Sequence, residues 1–72
     1  MKKINKAKIK INGKNRLIND KMTLKSLLNI NKVALNKVAI ELNKKIIDKK
    51  KIDKIKLKNG DKIEIVHFIG GG

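Results

Sequence analysis

The sequence predicts a small α+β domain: a four- or five-stranded mixed sheet with one main helix packed across one face. Three observations carry that expectation. Alternating apolar and polar residues recur at Lys8–Ile11, Val38–Leu42 and Ile63–Ile69, the period of strands whose successive side chains face opposite ways. Asn12-Gly13 follows the first of these and is a strong hairpin signal, because both residues tolerate positive φ in a type I′ turn. Leu24, Leu27 and Leu28 fall at i, i+3 and i+4, one face of an amphipathic helix. With 72 residues the chain makes one domain, burying only about 60% of its unfolded surface.

Taken in order, residues 1–6 are polar and read as a loose N-terminal piece, residues 7–69 as the domain, and residues 70–72 as a glycine tail. After the Asn12-Gly13 turn, Lys14–Ile18 returns as the second strand, and Asn19-Asp20-Lys21 breaks the pattern. Thr23 is placed to cap the helix, its hydroxyl accepting from a backbone N–H that has no partner inside the first turn. The helix should end between Asn29 and Lys32, with Val33 and Leu35 covering its exit. It is too short to hold alone and must pack on the sheet. Val38, Ile40 and Leu42 alternate as a half-buried strand; Asn43-Lys44-Lys45 turns; Ile46-Ile47 forms a very short strand. Asp48–Lys54 is a charged loop, with Ile52 and the following Ile55 anchoring one helical turn. Leu57 leads to the turn Asn59-Gly60-Asp61 and so to the last strand, Ile63–Ile69.

Composition excludes several classes of function. There is no cysteine, so no disulfide staples the domain and the chain cannot hold sulfur as its own persulfide. A single histidine, His67, makes no metal site. The net charge is +14, which raises the question of nucleic acid. Against it, every basic residue but Arg16 is a lysine, the lysines run from Lys2 to Lys62 without gathering, and Phe68 is the one aromatic, leaving base stacking poorly served. Solvated lysine faces are the expectation, and no nucleic-acid partner is assigned. Met1-Lys2-Lys3 begins like a signal peptide, but Lys6, Lys8 and Lys10 interrupt any apolar segment. No stretch is long enough to span a membrane, and a cytoplasmic location is expected.

No internal active site is legible. The six acidic residues offer no pair spaced as an acid/base couple. Asp61 reads as a turn residue satisfying backbone N–H groups, Glu41 and Glu64 as outward strand positions, and His67 as a strand residue without a positioned reaction partner. No phosphate-cradling glycine loop precedes a helix, so no bound cofactor is expected. The last strand is ambiguous: Ile63 and Ile65 mark one face, Val66 and Phe68 the other. Either a bulge returns Val66 and Phe68 to the core, or they form an exposed apolar patch that could meet a partner. Gly70-Gly71-Gly72 close the chain. Without Cβ atoms they suit threading into a confined site, and three residues reach roughly 10 Å; a frayed terminus is the alternative reading of the same residues. The α-carboxylate of Gly72 is the remaining reactive group.

The runs Val38-Ala39-Ile40-Glu41-Leu42-Asn43, Leu57-Lys58-Asn59-Gly60-Asp61-Lys62-Ile63-Glu64-Ile65-Val66 and His67-Phe68-Ile69-Gly70-Gly71-Gly72 resemble the ThiS family, the small sulfur carriers of thiamin-thiazole biosynthesis. The likeness covers nearly all of the chain from Ala7 onward. It implies a ubiquitin-like β-grasp fold with the first and last strands parallel at the centre of the sheet. It also implies that Gly72 is adenylated by a ThiF-type enzyme using ATP, then converted to a thiocarboxylate. The sulfur would come from a donor such as a cysteine desulfurase and pass to thiazole synthase. The chain would then be a carrier, substrate and cosubstrate of partner enzymes rather than a catalyst. A molybdopterin-type sulfur carrier on the same fold and a ubiquitin-like modifier joined through Gly72 are the alternatives.

Overall fold

The computed structural model describes residues 5–68. Strand β1 spans Lys6–Ile11 and β2 Lys14–Asn19; helix α1 spans Leu24–Ile30; β3 is Val38–Leu42, β4 Lys45–Ile46 and β5 Lys62–His67. Two 3₁₀ turns, Leu35–Lys37 and Lys49–Lys54, fill the connections. The five strands form one sheet in the order β2-β1-β5-β3-β4. β1 and β5 run parallel, and the other pairings are antiparallel. This is the β-grasp arrangement, with the first and last strands side by side at the centre.

Local chemistry accounts for most of the joints. Asn12 and Gly13 both take positive φ, 49° and 82°, as the two-residue hairpin requires. Thr23 caps α1: its Oγ1 accepts the Ser26 N–H at 3.1 Å. The helix stops without a glycine. Lys32 takes φ 55° while the Val33 N–H donates to the Leu28 carbonyl and the Lys32 N–H to the Asn29 carbonyl, the paired bonds of a Schellman end. β3 turns into β4 through Asn43 and Lys44, at φ 52° and 70°, another two-residue turn of left-handed residues.

Leu24, Leu27 and Leu28 are buried on the sheet-facing side of α1 and pack with Ile9, Val38, Ile40 and Ile63. Ile18, Ile52, Leu57 and Ala7 complete the buried cluster, while Ile11, Val33, Leu35 and Ile65 lie half-buried at its margin. The loop before β5 is stitched to the start of α1: the Leu24 N–H donates to the Ile55 carbonyl at 2.8 Å and the Leu57 N–H to the Met22 carbonyl at 2.7 Å.

Several boundaries differ from those read off the sequence, among them β2, which runs to Asn19 instead of Ile18. β1 begins at Lys6 rather than Lys8, pairing with Asn19, so the last residue of the expected loose piece joins the sheet; residues 1–4 lie outside the described residues. β4 is Lys45–Ile46 instead of Ile46-Ile47, since two residues carry no periodicity to fix a register. β5 is Lys62–His67 rather than Ile63–Ile69, as its partner β3 begins at Val38, the residue opposite His67; Ile69 lies outside the described residues.

Candidate functional site

The candidate site is the end of β5, which leads into the glycine ending. β5 lies between β1 and β3. Its entry is welded to β1 by the turn Asn59-Gly60-Asp61: the Asn59 Oδ1 accepts the Lys8 N–H at 2.8 Å, the Gly60 N–H donates to the Lys8 carbonyl at 2.8 Å, and the Lys10 N–H donates to the Asp61 carbonyl at 3.0 Å. Gly60 takes φ 90°, a conformation open to glycine at no steric cost.

Asp61 is the buried acid of the chain's described part, 3% exposed. Its Oδ2 accepts the Lys58 N–H at 2.9 Å and its Oδ1 accepts from Asn43 Nδ2 at 3.1 Å. Asn43 in turn accepts the Lys62 N–H on its Oδ1 at 3.0 Å. The turn role expected for Asp61 therefore holds, and it extends to tying the β3–β4 turn to the start of β5. Farther along, Asn12 continues the β1–β5 ladder past the hairpin: its N–H donates to the Ile63 carbonyl and its side-chain Oδ1 accepts the Ile65 N–H at 2.7 Å.

The register of β3 against β5 is unbroken from Leu42↔Ile63 to Val38↔His67. No bulge intervenes, so Val66 stays on the open face of the sheet, opposite Ala39. Val66 is 51% exposed and Phe68 56%. The bulge that would have returned them to the core is not formed. Glu41 and Glu64 face each other across the same pairing, the outward positions that alternation assigns. His67 is exposed and has no side-chain hydrogen bond among the described residues. Among those residues no group of three or more His, Asp or Glu side chains is placed to hold a metal ion, and no helix is long and apolar enough to cross a membrane.

Phe68 directly follows β5 and is the last described residue before the glycines. Its N–H donates to the Lys37 carbonyl at 3.0 Å, and the Lys49 ammonium stands 5.4 Å from the ring centroid. Lys49 has no distinguishing mark in the run Lys49-Lys50-Lys51, and no sequence signal points to it. The expected functional residues Gly70, Gly71 and Gly72 lie outside the described residues.

A family model for the ThiS family matches residues 5–72. The chain belongs to the ThiS family. The match runs through the glycine ending and takes in every strand described above. Among solved structures, the crystal structure of the thiamine biosynthesis protein ThiS from Geobacter metallireducens is similar at a TM-score of 0.78 and 31% identity, covering 90% of this chain and 99% of that one. No curated protein matches the sequence. ThiS membership carries a sulfur-carrier role in thiamin biosynthesis, and the β-grasp sheet agrees with the ubiquitin-like fold of that family.

Proposed function

We propose that this ThiS-family chain carries sulfur on the α-carboxyl of Gly72, which a ThiF-type partner enzyme first activates with ATP. The observation that supports this most is the family match extending through Gly72, combined with a last strand that sits in the middle of the sheet and ends one residue before Phe68. A carboxylate is a poor acyl donor until it bears a good leaving group. Attack of the Gly72 carboxylate on the α-phosphate of ATP forms an acyl-adenylate and releases pyrophosphate. The terminal sulfur of an enzyme-bound persulfide, charged by a donor such as a cysteine desulfurase, then attacks the acyl carbon and displaces AMP. Reduction of the resulting acyl disulfide by a thiol leaves the thiocarboxylate. Thiazole synthase is the acceptor this reading names.

The division of labour follows from the chemistry of the chain. It has no cysteine, so the persulfide belongs to a partner. Gly70 and Gly71 let the tail enter a confined site without side-chain clash, and Gly72 leaves the acyl carbon uncrowded. Val66 and Phe68, exposed beside the tail root, offer the apolar ground on which a partner can seat the domain. ATP is consumed in the partner's site. The test is pyrophosphate release by a ThiF-type enzyme with ATP and this protein. Release with the full chain and none after deletion of Gly71 and Gly72 is expected; equal release from both would exclude Gly72 as the activated group.

A further inference from the structure

Phe68 is held by contacts that the sulfur chemistry itself does not use. Its backbone N–H is bonded to the Lys37 carbonyl at 3.0 Å. The Lys49 ammonium lies 5.4 Å from its ring centroid, within the range of a cation–π contact. The same ammonium donates to the Leu35 carbonyl. Asp48 sets this up: its Oδ1 accepts the Lys50 N–H at 2.9 Å, which starts the second 3₁₀ turn and places Lys49 at its first residue. A lysine left to itself extends into water, and ordering its long stem costs rotamer entropy. Here the side chain is half-buried and bridges three segments: the Lys49–Lys54 turn, the Leu35–Lys37 turn and the end of β5.

We propose that Lys49 is a positioning residue for the C-terminal tail: it holds Phe68 against the Leu35–Lys37 turn, so that the chain leaves the sheet in one direction. The inference rests on the reading of the tail as the segment presented to the activating enzyme. Four residues follow Phe68, a reach of roughly 13 Å. A 30° swing at the root would therefore carry the tip roughly 7 Å sideways, enough to miss a narrow entrance. A root ordered before binding also spares the complex the entropy of ordering it afterwards. Freeing one backbone residue corresponds to about a 5- to 30-fold change in an equilibrium constant.

The experiment compares wild type with Lys49→Met, which keeps the length of the stem but removes charge and donor, and with Lys49→Arg, which restores both. In the wild type, NMR should show the Lys49 ε-methylene protons displaced upfield by the Phe68 ring and a protected Phe68 amide. Lys49→Met should speed exchange of that amide about 5- to 30-fold with the thermal midpoint unchanged. It should raise the KM for adenylation by a ThiF-type enzyme by a similar factor at constant kcat, and Lys49→Arg should restore both readouts. An unshifted ε-methylene, an unchanged Phe68 amide in Lys49→Met, or a loosened amide with unmoved KM overturns the proposal. Failure of the wild type to be adenylated overturns the carrier reading instead, and the NMR arm then decides the Lys49 contact alone.

Discussion

Replacing Asp61 with alanine removes a buried carboxylate that two donors depend on. The Lys58 N–H at 2.9 Å and the Asn43 amide at 3.1 Å lose their acceptor, at a site where the carboxylate is 3% exposed. Hydrogen bonds to a charged group contribute about 1.5–3 kcal/mol each, and the pair sums to about 3–5 kcal/mol once water enters part of the vacated space. A domain of this size has roughly 4–11 kcal/mol in total, so the loss is a large share of it. Asp61→Asn should fall between: one oxygen still accepts from Lys58, but the new NH₂ meets the Asn43 NH₂, donor against donor, and the cost is about 1–3 kcal/mol. Urea unfolding followed by circular dichroism measures both. At a slope of about 1 kcal/mol/M, Asp61→Ala should lower the midpoint by about 3 M or more, and Asp61→Asn by about 1–3 M. Midpoints within about 0.5 M of wild type for both variants would show that the backbone bonds of the turn suffice, and that the carboxylate does not join the two turns.

Three further outcomes follow from the fold. Leu28 is fully buried under the sheet, so Leu28→Ala should cost about 2–5 kcal/mol; an unchanged thermal midpoint would mean that this face of α1 is not packed. Lys44 takes φ 70° in the β3–β4 turn, a conformation costing a residue with a Cβ about 1–2 kcal/mol, so Lys44→Gly should raise stability by about 1 kcal/mol, and a lower denaturation midpoint would contradict the strain. Lysines scattered over the surface should give only weak, nonspecific nucleic-acid binding that collapses between low and physiological salt; submicromolar, sequence-selective binding at physiological salt would contradict that.

What the sequence made legible was local. Asn12-Gly13 announces its turn because the pair is among the few that accept two left-handed residues, and Thr23 announces its cap because its hydroxyl can reach the Ser26 N–H. Leu24, Leu27 and Leu28 share a face at fixed helical spacing whatever they pack on. A helix end by Lys32 and a turn at Asn43-Lys44-Lys45 were legible too, but the positive φ that Lys32 and Lys44 take was not. Lysine is not a left-handed residue by preference, and each is held there by bonds formed around it: Val33 to Leu28 at the helix end, and the closing Leu42↔Lys45 pair at the turn. The parallel pairing of β1 with β5 was equally hidden, since alternation tells which face a side chain takes and nothing about the neighbouring strand; family resemblance supplied it.

At the candidate site the same division holds. Asp61 was legible as a turn residue, but its bond to Asn43 joins positions far apart in sequence and exists only in the fold. Val66 and Phe68 were left between a bulge and an exposed patch until the register of β3 on β5 decided for exposure. Lys49 was invisible, because its significance is a tertiary contact made by one lysine among many.

Carriage of sulfur on the terminal carboxyl of Gly72 can be read directly. The direct measurement is intact and fragment mass spectrometry after incubation with the ThiF-type enzyme, ATP, and a cysteine desulfurase with cysteine and a thiol reductant. The expected result is a mass increase equal to the exchange of one oxygen for sulfur, mapped by fragmentation to Gly72 and absent from protein lacking Gly71 and Gly72. Thiolation of that shortened protein, or a label mapping to an internal lysine, would contradict it.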